Sequence, residues 1–91
     1  MYNITLYTYL QAKKIGVIVK PSKKKGKKID VFKNGVLVAS VGDRRYLDYP
    51  YYKKYFGKQI ANERRKNYKL RHKKNRLVKN SPGWYAAKLL W

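Results

Sequence analysis

Cysteine is absent from the chain, so neither a disulfide framework nor a thiolate metal site can support it. Carboxylates are scarce as well: Asp30, Asp43, Asp48 and Glu63 are the only four, and they are scattered among cations. General acid–base chemistry needs paired or specially placed acids, and this spacing supplies none. No His/Asp/Glu cluster has metal-ligand spacing. Gly26-Lys27-Lys28 lacks the rest of a phosphate-binding loop motif. The single histidine, His72, lies between Arg71 and Lys73 and reads as a packing or phosphate-contacting group, not a base. No apolar run approaches the roughly 20 residues that cross a bilayer as a helix. The first residues, Met1 to Tyr7, have neither a basic n-region nor an apolar h-region, so synthesis in the cytosol and retention in a cell or particle are expected. The chain is thus expected to be no enzyme, with no metal, no cofactor and no membrane span.

What is present is positive charge. Twenty-four Lys and Arg against four acids give a net charge of +20 on 91 residues. That length suits a single domain with a thin core. A free domain so charged repels itself and recruits anions, with nucleic acid the commonest, then acidic protein surfaces and anionic lipid. Hydrophobic residues reach 44% and aromatics 15%, with ten Tyr, which gives the chain enough apolar area to fold.

The pattern predicts an α+β domain spanning residues 1–91. Tyr2, Ile4, Leu6 and Leu10 alternate with Asn3, Thr5, Tyr7 and Tyr9, a period of two that predicts a strand, with residues 1–12 as a possible docking strand. Residues 13–42 should form a small antiparallel sheet of about three strands. Its strands are Ile15 to Val19, Ile29 to Lys33 and Val36 to Val41, the last two joined by Asn34-Gly35. An Asn-Gly pair between β-branched runs marks a type I′ hairpin, because both central residues need positive φ. Residues 48–76 should be helical, opened by Asp48 or Tyr49 with Pro50 in the first turn, capped or kinked at Gly57, and running on to about Asn75. On that long basic helix Ala61, Tyr68 and His72 fall together while Ile60 and Leu70 lie apart, so the apolar stripe is narrow. Ser81 and Pro82 suit the N-cap and first position of a short apolar helix over residues 81–91.

Two basic elements are candidate polyanion contacts. One is the loop bearing Lys23, Lys24, Lys25, Lys27 and Lys28, five lysines in six residues and more than the protection of a sheet edge requires. The other is the helix with Arg64, Arg65, Lys66, Lys69, Arg71, Lys73, Lys74 and Arg76, where Glu63 is the only acid. Solvated helix faces mix signs to gain i,i+4 pairs, whereas Arg65 and Lys69 set like charges at that spacing, a cost that an external anion would offset. Helix-turn-helix, zinc-finger and RNP patterns are missing, so base-specific reading is not expected. Tyr46, Tyr49, Tyr51, Tyr52 and Tyr55 could stack on unpaired bases or pack a helix against the sheet. Trp84, Tyr85, Leu89, Leu90 and Trp91 either close the domain's own core or anchor it to a neighbouring subunit.

The stretch from Asp48 to Trp91 resembles a family of small basic proteins of large nucleocytoplasmic DNA viruses, of the phycodnavirus- and mimivirus-like groups. The resemblance rests on the basic hairpin followed by Asp48-Tyr49, on Tyr52-Lys53-Lys54-Tyr55-Phe56-Gly57-Lys58, on Glu63-Arg64-Arg65, and on Tyr68 with Arg71-His72. It closes on Ser81-Pro82-Gly83-Trp84-Tyr85 and Leu89-Leu90-Trp91. It covers about the last two thirds of the chain, implies a viral origin, and assigns no residue a role. With the charge, it leads to the expectation of a virion protein that neutralises DNA, ahead of RNA, without sequence preference inside a larger assembly. The alternatives are a minor capsid or cement adaptor facing acidic capsid proteins and, third, a ribosomal-like RNA-binding protein.

Overall fold

The computed structural model describes residues 2–91, and their order is α1 (Leu6–Ile15), β1 (Ile18–Pro21), β2 (Lys27–Lys33), β3 (Val36–Asp43), α2 (Tyr49–Phe56), α3 (Lys58–Arg71), a 3-10 turn (Asn75–Leu77) and α4 (Pro82–Leu90). The class is α+β, with one three-stranded antiparallel sheet ordered β1-β2-β3 and four α-helices.

The hairpin forms where the Asn-Gly signal placed it. Asn34 and Gly35 take φ of +53° and +78°, the left-handed pair that a two-residue turn between β2 and β3 demands. Ile29 faces Val41, and Val31 faces both Ala39 and Val19. These paired side chains are buried and form the sheet's contribution to the core.

Residues 6–10 are helical, correcting the expected strand and docking strand. Thr5 is the N-cap, its hydroxyl accepting from the Thr8 amide at 3.3 Å. Gly16, at φ +73°, ends the helix while Val17 N–H donates to Ala12 and Gly16 N–H to Lys13, the paired bonds of a Schellman motif. That glycine stop also moves the first strand from Ile15–Val19 to Ile18–Pro21. The buried positions of α1 are Thr8 and Ala12, one turn apart and both small, so α1 lies close against α4. There Thr8 Oγ1 donates to the Leu89 carbonyl at 2.8 Å, and Gln11 Nε2 to the Lys88 carbonyl at 3.1 Å. Both acceptors belong to the last turn of α4, whose carbonyls have no partner within their own helix.

The core therefore lies between one sheet face and the pair α1–α4. Tyr85, Leu89 and Leu90 fill it with Ile29 and Val31. The α2–α3 hairpin breaks at Gly57 and is held on by aromatic contacts: the Trp91 ring stacks on Tyr68 at 4.4 Å and 9°, and tilts against Tyr52 at 6.1 Å. α3 ends at Arg71 instead of continuing to about Asn75. The chain then turns so that the Arg76 Nε can donate to the Lys69 carbonyl at 3.1 Å. No helix among the described residues is long and apolar enough to cross a membrane.

Candidate nucleic-acid interface

Three of the four acids have partners within the protein, while Glu63 is exposed on α3. Asp43 and Arg45 form an exposed pair at 2.8 Å, and the Arg45 guanidinium holds the Asp43 carboxyl down at about 2. Asp48 meets Lys28 at 3.1 Å and also accepts from the Tyr2 hydroxyl at 2.6 Å. Asp30 accepts from Ser22 Oγ at 2.5 Å, from Ser40 Oγ at 2.6 Å and from the Lys23 amide at 3.3 Å. Burial would raise the Asp30 carboxyl, but the two hydroxyls, the amide and the Lys23 charge outweigh it and hold it below the ordinary carboxylate value. Lys28–Asp48 and Arg45–Asp43 are the only ion pairs among the described residues, so two of the 24 Lys and Arg touch a carboxylate.

Lys28 corrects the lysine-loop reading. It is 4% exposed, and Asp48, its partner, is wholly buried. Its ammonium already has a counter-charge and does not face an external anion. Asp48 opens α2 by its extended backbone but does not cap with its carboxylate, which is turned to Lys28 and Tyr2. Pro50 supplies no amide at the second helical position for it to accept from. Lys23, Lys24 and Lys25 are exposed on the β1–β2 loop, and Lys27 is half-buried. Asp30 and Ser22 shape that loop, since Ser22 Oγ also accepts from the Lys24 amide at 3.0 Å.

Three cations of α3, Arg65, Lys66 and Lys69, share one side with Lys73 and Arg76 from the segment that follows. Asn62, Arg65, Lys66, Lys69, Leu70 and Lys73 recur at helical spacing and, with Arg76, line a groove of about 560 Å³. Arg65 is fixed there: its guanidinium carbon lies 3.5 Å from the centre of the Tyr49 ring, and its Nε is buried without an acceptor. Burial and the charges of Arg65, Arg76 and Lys88 together hold the Lys69 ammonium below its ordinary value. A smaller hollow of about 170 Å³ adjoins the groove, sharing Lys69 and Arg76 and adding Trp84 and Lys88. No carboxylate lines either space. Like charges therefore converge here with no carboxylate in the lining.

The remaining sequence candidates lie elsewhere. Arg64 is exposed, 5.6 Å from the Tyr52 ring centre, and Lys74 is exposed beyond the end of α3. Arg71 lies with His72 along a separate cleft against β3 and Tyr46. The apolar C-terminal residues are not a free anchor: Tyr85, Leu89 and Leu90 are buried in the core, and Trp84 and Trp91 are half-buried against it. Lys88 was missed in the sequence; its signal was a lone cation within an otherwise apolar helix. Comparison with family models, with curated proteins and with solved structures finds no match.

Proposed function

We propose that this is a non-enzymatic basic protein of a viral particle that neutralises DNA without sequence preference while held in a larger assembly. The observation that carries the reading is the α3 groove, where Arg65, Lys66, Lys69, Lys73 and Arg76 converge with no carboxylate among them. Point cations along a groove match a phosphate backbone, which carries charge at regular spacing and no base information. The lysine loop adds Lys23, Lys24 and Lys25 as a second contact, held in shape by Asp30. The viral setting, and with it a role in genome packaging, rests on the resemblance of the last two thirds of the chain alone.

An adaptor that meets acidic capsid proteins is the second reading. It draws on the exposed apolar side chains Leu6, Tyr9 and Leu10 of α1 and Val36, Leu37 and Val38 of β3, which an assembly partner would cover. Fluorescence anisotropy with short duplexes of unrelated sequence, a structured RNA and polyglutamate separates these possibilities. The proposal expects all duplexes to bind alike and more tightly than polyglutamate. Equal or tighter binding of polyglutamate favours the adaptor, and a preference for the structured RNA favours a ribosomal-like role.

A further inference from the structure

Four tyrosines surround a further recess, of about 250 Å³, that shares no residue with the α3 groove. Tyr2, Tyr46, Tyr51 and Tyr55 line it with Leu47, Arg44 and the Asp48-paired Lys28. Two of the rings are fixed. The Tyr2 hydroxyl donates to Asp48 at 2.6 Å, the Tyr51 hydroxyl donates to the Asn3 carbonyl at 2.6 Å, and the two rings meet edge to face at 5.7 Å. The other two are presented to solvent: Tyr46 is 64% exposed and Tyr55 60% exposed. Tyr55 lies nearly parallel to Tyr51, at 16° and 6.0 Å. Packing explains Tyr49, which is buried, but it does not explain why large rings stand open at the rim.

Charge decides what such a recess can hold. An aromatic cage of this kind would otherwise suit an ammonium ligand, because ring faces attract cations. Here Lys54 lies 5.5 Å from the Tyr55 ring and Arg44 lines the recess, while Arg45, 5.7 Å from the Tyr46 ring, is paired with Asp43. No carboxylate lines it, so a cationic guest would be repelled. The guest that satisfies both features has a flat, neutral π-face attached to negative charge, which describes a nucleobase and its flanking phosphates. Rings on which bases stack, bordered by cations that follow the backbone, are how single strands are bound without sequence preference.

We propose that this recess is a stacking site for an unpaired base of single-stranded nucleic acid, separate from the groove that takes phosphates. The inference rests on the polyanion reading and extends it: a duplex keeps its bases stacked on each other and cannot use the recess. Oligothymidine carrying one 2-aminopurine, and a duplex of equal length, would be titrated against the full chain and against Tyr46→Ala/Tyr55→Ala. Both positions are largely exposed, so the variant keeps its core. The expected result is a loss of about tenfold or more in single-strand affinity, in line with the worth of one base–aromatic stack, with duplex affinity unchanged. Quenching of 2-aminopurine on binding should disappear in that variant and persist in Tyr46→Phe/Tyr55→Phe, which keeps the rings. Unchanged single-strand affinity, or parallel losses for both ligands, overturns the stacking site and leaves the groove standing. Failure of the unaltered protein to bind either ligand overturns the groove reading as well.

Discussion

Replacing Lys28 by Met removes the counter-charge of a carboxylate that has no access to water. Asp48 would keep the Tyr2 hydroxyl as its one side-chain donor, and its second oxygen already lacks a partner. Lys28→Met should therefore cost about 3–5 kcal/mol, the range for breaking a buried pair from one side, read by urea unfolding. Lys24→Met, four residues away on the exposed loop, should change stability by about 0.5 kcal/mol or less and weaken DNA binding instead. Nothing in the lysine run distinguishes these two residues, because the difference is made by an aspartate twenty positions downstream. Lys69 gives the converse signature. Its ammonium sits among Arg65, Arg76 and Lys88, so Lys69→Met should leave stability equal or raise it by about 0.5 kcal/mol or less, while lowering affinity for DNA. A clear loss of stability in Lys69→Met would mean that the cluster serves the fold.

At the scale of elements, the caps and turns were written in the chain and the first helix was not. Asn34-Gly35, Asp48 before Pro50, Gly57 and Ser81-Pro82 all act through local backbone chemistry, and all stand at the boundaries expected of them. Residues 2–10 satisfy a period of two, yet the helix they enter buries only Thr8 and Ala12, one polar and the other small, which print no apolar stripe. Thr5 as its cap and Gly16 as its stop are the marks of this helix that the sequence carries. The groove was half legible for a similar reason: the excess of cations is a property of composition, whereas their concentration on one side of α3 depends on the turn that brings back Arg76. Ser81 caps α4 by accepting from the Trp84 amide at 3.2 Å and also donates to the Asn75 carbonyl at 3.2 Å, so Ser81→Ala should cost about 1 kcal/mol in thermal or urea unfolding. The β1–β2 loop should respond to acid. The Asp30 carboxyl is lowered in the folded state, so its stabilisation is full above the unfolded carboxylate value, near 3.9, and is lost as pH falls through the lower folded value. Exchange protection of the Lys23 and Lys24 amides, followed by NMR, should fall in that acid window and be weak at neutral pH in Asp30→Asn.

For the whole molecule, a charge of +20 within extents of 37 × 28 × 25 Å is an electrostatic load that anions relieve. Any polyanion that binds the folded chain preferentially should raise its unfolding midpoint. The decisive quantity is the salt dependence of duplex affinity, because each phosphate neutralised contributes about −0.9 to the slope of log K against log salt. Engagement of the five groove cations predicts a slope of about −4.5 or steeper, and Arg65→Gln/Lys69→Gln/Lys73→Gln should flatten it by about 3. A slope near zero in the unaltered protein, or one that the triple substitution leaves unchanged, contradicts the assignment of the α3 groove to the phosphate backbone.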